Sequence, residues 1–125
     1  MRLLLDTHVL LWWLADDPAL GASSRAAIAD DGNQAFVSAL SLAEIAITQS
    51  IGKLRAPFIS DDLLDEQGMA PVAFTPRHAR KVVELPLHHR DPFDRMLIAQ
   101  AIEEGFTIVT ADPQFSRYGI PLLAA

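Results

Sequence analysis

The chain has 125 residues, 50% of them hydrophobic, no cysteine, and a formal charge of −6. That length fits one domain over 1–125 with a sizeable core, a second domain is not expected, and the lack of cysteine excludes a disulfide framework. Met1-Arg-Leu-Leu-Leu-Asp6 lacks the long apolar core and cleavage pattern of a signal peptide, and Val9–Ala15 is too short to span a bilayer, so a cytoplasmic protein without a membrane anchor is expected.

Arg2-Leu-Leu-Leu-Asp6 is a short apolar run ending in an acid, which reads as a buried central strand with Asp6 at its C-terminal tip. Helices are predicted over about 8–15 and 23–31, and a strand over 35–38. Ser41-Leu-Ala-Glu44 has capping-box spacing, with Ser41 at N-cap and Glu44 at N3, and opens a helix over 41–53. Gly32-Asn33, Ala56-Pro57 and Leu85-Pro86 mark short loops. Ser60 caps a helix over 60–67, a strand follows near 71–74, and Thr75 with Pro76 at N1 opens a helix over 76–84. In Asp91-Pro-Phe-Asp94 the proline takes N1 and Asp91 the N-cap, and the helix runs over 92–104 until Gly105 stops it. Thr107-Ile-Val-Thr110 reads as a strand by its β-branched content, and Ala-Asp112-Pro113 turns into a short helix. Alternation of this kind predicts an α/β fold: a central parallel sheet with right-handed crossovers and helices on both faces.

Four carboxylates, Asp6, Glu44, Asp94 and Asp112, each fall where a strand ends or a helix begins. Singly, each has a structural explanation, because an acid in a first helical turn complements the macrodipole and Asp before Pro is common turn chemistry. Jointly they point to a ligand site, because strand C-termini and the N-termini of the following helices share one edge of a parallel sheet. Crowded carboxylates cannot all stay ionised without a counter-charge. An all-oxygen set without cysteine favours Mg²⁺, with Mn²⁺ as a substitute, over Zn²⁺. Activation of water for attack on a phosphodiester is the chemistry such a cluster commonly serves, which points to a nuclease.

Leu4-Leu-Asp6-Thr-His8, Ser41-Leu-Ala-Glu44, His89-Arg-Asp-Pro-Phe-Asp94-Arg-Met-Leu-Ile-Ala-Gln100-Ala and Val109-Thr-Ala-Asp112-Pro-Gln-Phe115 occur in that order. Together they resemble the PIN domain of VapC-type toxins, over about residues 2 to 121. The resemblance implies a Mg²⁺-dependent endoribonuclease of a toxin–antitoxin pair. It also implies that Asp6, Glu44, Asp94 and Asp112 match the family's acidic residues, that the protein forms a homodimer, and that an antitoxin tail lies along a groove near the site.

Asp91 competes with Asp94 for the pocket, since residues three apart share a helical face. Asp94 is favoured, because an N-cap carboxylate turns back onto its own helix. A charge of −6 is unusual for a protein that cuts RNA, so the distribution of basic residues matters more than the sum. Arg77, Arg80 and Lys81 share a helix, Lys53 and Arg55 end another, and Arg90 and Arg95 flank the Asp91–Asp94 segment. Arg90 and Arg95 are the favoured RNA contacts, since a guanidinium grips phosphate bidentately. His8 and the hydroxyls of Thr7 and Thr110 fall near the pocket, yet such residues at strand ends need no functional explanation. His88 and His89 read more readily as local hydrogen-bond partners. The helices near 9–14 and 40–51 are apolar on more than one side, and Trp12 and Trp13 are candidate anchors for the antitoxin.

Two other classes compete with the nuclease. A phosphoryl-accepting receiver or phosphatase also gathers acids at a sheet edge, but the phosphatase wants Asp-x-Asp where this chain has Asp6-Thr-His8, and no lysine follows the later strands. A non-catalytic PIN-like module that binds RNA or a partner would not need all four acids.

Overall fold

Strand β1 (Arg2–Leu5) alternates the faces it serves: Leu3 and Leu5 enter one core cluster and Leu4 the other, all three fully buried. A run apolar on both faces suits only the middle of a covered sheet, and each such leucine contributes about 2 kcal/mol. The computed structural model describes residues 1–125 and places β1 at the centre of five strands. The others are β2 (Gln34–Ser38), β3 (Met69–Val72), β4 (Thr107–Thr110) and β5 (Leu122–Ala124), in the order β3-β2-β1-β4-β5 with every pairing parallel.

The helices are α1 (Thr7–Leu14), α2 (Ala22–Ala29), α3 (Ala39–Ser50), α4 (Asp61–Glu66), α5 (Pro76–Lys81) and α6 (Pro92–Glu104). One cluster joins Leu3, Leu5 and Val109 to Val9 and Leu10 of α1, Ile28 of α2 and Leu64 of α4. The other joins Leu4 and Ile108 to Leu97, Ile98 and Ala101 of α6 and to Phe115. The sheet therefore carries helices on both faces, as its sequence pattern predicts. Helix α3 belongs to both layers, sending Ile45 to the first cluster and Leu40 to the second. That double burial accounts for much of its two-sided apolar pattern, and Ile47 and Ile51 stay exposed at 52% and 61%.

Several boundaries differ from the sequence expectation. Helix α3 begins at Ala39 because Ser38, not Ser41, is its N-cap: the Ser38 hydroxyl accepts from Leu40 N at 3.1 Å. Ser41 is therefore buried inside the first turn, and Glu44 stands in the second. Strand β3 starts two residues before the expected 71, because Gly68, at φ +71, turns the chain out of the α4 end straight into Met69. Pro71 is tolerated there because β3 is an edge strand. The single helix expected over 76–84 is α5 followed by a 3₁₀ turn, Val82–Glu84. β5 has no expected counterpart; three residues carry little local signal, and pairing with β4 alone makes them a strand. The caps at Ser60, Thr75 and Asp91 and the left-handed stop at Gly105 are as predicted.

A candidate active site of converging carboxylates

The chain runs outward from β1 through β2 to β3, then returns to the other side of β1 with β4. The switch point of the sheet thus lies between β1 and β4, where open α/β sheets bind ligands beyond the strand C-termini. Asp6 immediately follows β1 there, continuing the ladder by donating from its N to Val109 O at 3.0 Å. Asp112 stands two residues past β4.

A cavity of about 370 Å³ opens at this point, lined by Asp6, Glu44, Asp91, Asp94 and Asp112 together with His8, Trp12 and Ala111. Asp6, Glu44, Asp94 and Asp112, which come from four separate segments, are thereby brought together. Five of the chain's 16 acidic residues line this cavity, and the remaining eleven nearly balance the 10 lysines and arginines. The net charge of the protein is thus largely the charge of its site.

Three of the acids are also caps. Asp6 Oδ1 accepts from Thr7 N at 2.7 Å at the start of α1, and its Oδ2 accepts from the Thr110 hydroxyl at 2.8 Å. Asp91 Oδ1 accepts from Asp94 N at 3.0 Å at the start of α6. Asp112 Oδ1 accepts from Gln114 N at 2.9 Å at the start of a 3₁₀ helix, Pro113–Tyr118. Helix N-termini carry partial positive charge, so these ends hold anions at the sheet edge before any ligand arrives. Asp94 and Glu44 cap nothing. Asp94, at N3 of α6, meets only His89, whose Nε2 lies 3.4 Å from its Oδ2.

Burial pushes the Asp94 carboxyl up to about 7, helped by the negative charges of Asp91, Asp6, Asp112 and Glu44. Burial also raises Asp6, against the lowering effect of its bonds from Thr110 and Thr7. The donor set and this charge crowding fit a hard divalent cation. As placed, no three of these side chains close on a single point at ligating distance, so the acids ring the cavity rather than prefigure a coordination sphere.

The remaining predicted residues sort clearly. His8 lines the cavity mouth, its ring tilted against Trp12 at 6.1 Å between centroids. Thr110 sits behind Asp6, accepting from Asp112 N at 3.0 Å while donating to Asp6, so one hydroxyl couples two acids. Thr7, buried, offers Asp6 its backbone amide. Arg90 is exposed beside Pro92 and Met96, outside the acidic cavity. Arg95 is engaged within the chain. Its guanidinium donates to Pro86 O at 2.9 Å and to the Tyr118 hydroxyl at 3.2 Å, and reaches the carbonyls of Val82 and Leu85 at 3.5 Å. Arg77 pairs with Glu103 and Glu104 at the far end of α6, about 15 Å along the axis from Asp94 and so away from the cavity.

Sequence reasoning missed Tyr118, whose hydroxyl lies 2.7 Å from His89 Nδ1 across 29 residues. No local pattern could have paired them. Trp12 and Trp13 both pack in part against the core; the Trp13 indole N–H donates to Gln67 Oε1 at 2.9 Å, whereas Trp12 lines the cavity. His88 lends its carbonyl to Arg117 at 2.7 Å and meets Tyr118 edge-on, a packing role.

The family profile of the PIN domain matches residues 3–121. Among curated proteins, ribonuclease VapC22 of Mycobacterium tuberculosis is 35% identical over 121 residues, covering 94% of this chain and 92% of that one. Among solved structures, the chain resembles VapBC2 of Rickettsia felis bound to a DNA fragment from its promoter, with a TM-score of 0.73, 20% identity, and coverage of 99% and 98%. DNA-bound VapBC of Salmonella typhimurium gives a TM-score of 0.71 at 16% identity, with coverage of 99% and 98%. On these grounds the chain belongs to the PIN-domain family, within its VapC type.

Proposed function

We propose that this protein is a metal-dependent endoribonuclease and the toxin of a VapBC-type toxin–antitoxin pair. The observation that carries the reading is the convergence of Asp6, Glu44, Asp94 and Asp112 on one cavity at the switch point of the sheet, with Asp94 pushed up to about 7 by burial and then by its acidic neighbours. The relative's description as a ribonuclease supports it.

Asp6, Glu44, Asp94 and Asp112 would hold Mg²⁺, or Mn²⁺ in its place, and the cation when bound supplies the counter-charge and a polarised water for phosphodiester hydrolysis. The chain's own part is positional. Thr110 and the Thr7 amide fix both oxygens of Asp6, leaving its remaining lone pairs toward the cavity. Asp91 anchors the first turn of α6 and so sets where Asp94 stands. His8 and Trp12 line one side of the cavity and continue into a neighbouring groove that Arg55 lines, where an RNA strand can meet an aromatic face and a cation.

The antitoxin reading rests on a groove of about 320 Å³ between α1 and residues 54–57, lined by Leu11, Trp12, Leu14, Leu54 and Pro57. It shares Trp12 and His8 with the acidic cavity, so a peptide lying in it reaches the site. The exposed Ile47 and Ile51 of α3 suit a homodimer contact. No helix is long and apolar enough to cross a membrane.

The deciding experiment is incubation of total cellular RNA with the purified protein in Mg²⁺ or Mn²⁺, with EDTA, and with Asp6→Asn. Cuts that need the metal and vanish in the variant support the nuclease. Absence of cleavage in either metal, from folded protein free of antitoxin, replaces it with a non-catalytic PIN-like module that binds RNA or a partner.

A further inference from the structure

Behind Asp94 stands a hydrogen-bond chain whose direction can be deduced. The Tyr118 hydroxyl is approached by three groups: Arg95 Nη1 at 3.2 Å, the His89 backbone N at 3.4 Å, and His89 Nδ1 at 2.7 Å. Arginine and the backbone amide have only hydrogens to offer, so they take the two lone pairs of the phenol oxygen. The single O–H of Tyr118 is then left for Nδ1, the shortest of the three contacts. The opposite arrangement would crowd three donors onto two lone pairs and leave the O–H unused. With Nδ1 accepting, neutral His89 carries its hydrogen on Nε2, the atom that faces Asp94 Oδ2 at 3.4 Å.

The ring has little freedom to turn away. His89 is held between Tyr118 at 5.4 Å and Phe115 at 6.2 Å between centroids, and its side chain is only 12% exposed. Arg95 in turn is tied to the Pro86 carbonyl at 2.9 Å.

We propose that Arg95, Tyr118 and His89 form a one-way donor chain that orients the Asp94 carboxylate for the cation, with His89 and Tyr118 as positioning residues. This rests on the metal-dependent nuclease reading. A donor fixed on one carboxylate oxygen leaves the other aimed into the cavity, and partners of this kind behind a metal ligand commonly carry about 10- to 100-fold in affinity or activity.

The test uses the full chain with Mn²⁺ as the probe. Nitrogen NMR of the wild type is expected to show His89 with hydrogen on Nε2, and a hydrogen on Nδ1 overturns the chain. Calorimetry is expected to show Tyr118→Phe, which keeps the ring and removes one oxygen, binding Mn²⁺ about tenfold more weakly at unchanged melting temperature. His89→Phe is expected to be weaker still, and His89→Gln, which keeps a donor, to recover part of the loss. Cleavage by Tyr118→Phe should fall in kcat with KM for RNA unchanged, and recover as Mn²⁺ is raised. Wild type that binds Mn²⁺ and cuts RNA, matched by Tyr118→Phe in both, overturns the chain and leaves the nuclease standing. Wild type that does neither overturns the nuclease and the role of the chain together.

Discussion

The Thr110 hydroxyl donates to Asp6 Oδ2 at 2.8 Å, joining the tips of two adjacent parallel strands across 104 residues of sequence. The same oxygen accepts from Asp112 N at 3.0 Å, so a single buried side chain sets two of the four acids relative to one another. Thr110→Val keeps the shape and removes both bonds, leaving a buried carboxylate oxygen short of a donor. A loss of about 1–3 kcal/mol in stability and a large loss of RNA cleavage are expected, with Thr110→Ser near wild type in both. Denaturant titration and cleavage assays check this, and a Val variant as stable and active as wild type would falsify the coupling.

Asp91 and Asp94 share one face of α6 but do different work, since Asp91 spends an oxygen on Asp94 N. Asp94→Asn is expected to abolish cleavage. Asp91→Asn keeps a good cap and should retain most activity, while Asp91→Ala should cost about 1 kcal/mol in stability through loss of the cap. Cleavage lost in Asp91→Asn and kept in Asp94→Asn would reverse the two roles.

The raised Asp94 carboxyl makes stability depend on pH in a definite direction. Its folded-state value, about 7, lies above its ordinary 3.8, so the folded protein binds this proton more tightly than the unfolded chain does. Its contribution is fully present below about pH 4 and is lost as the pH rises through about 7. Asp6 shifts the same way. Asp94→Asn has no charge to bury, so without a divalent cation it should match wild type near pH 4 and be more stable than wild type at pH 8, by up to about 4 kcal/mol. Adding Mn²⁺ at pH 8 should raise the melting temperature of wild type and not of the variant. Identical melting of the two proteins across this range counts against the crowded-carboxylate site.

The neighbouring tryptophans should separate fold from partner. Trp13 packs on the core and bonds Gln67, so Trp13→Ala is expected to destabilise by about 3 kcal/mol. Trp12 lines both the acidic cavity and the apolar groove, so Trp12→Ala should weaken cognate antitoxin binding more than it weakens the fold. Binding titrations alongside thermal melts test it, and antitoxin affinity unchanged in a folded Trp12→Ala would move the docking surface elsewhere.

What sequence alone determined is what short stretches decide. Leu3, Leu4 and Leu5 announce a strand buried on both faces, Asp91-Pro92 opens a helix at its right residue, and Gly105 closes it, because capping and φ restriction act within a few residues. Asp6, Asp94 and Asp112 were legible for the same reason, each standing at or beside an element boundary, whereas Glu44, expected in a first turn, stands in the second. Serine choice at the α3 start was not legible, since Ser38 and Ser41 offer equal capping chemistry and only where β2 stops decides between them. β5 and the Arg95–Tyr118–His89–Asp94 chain were wholly hidden, because a three-residue strand exists through its neighbour's ladder and the hydroxyl of Tyr118 meets a ring 29 residues away. Only the tertiary structure, likewise, brings the Arg95 guanidinium onto the Tyr118 hydroxyl. Local sequence selects conformation residue by residue; which donor faces which acceptor is settled only when the sheet order brings distant segments to one edge.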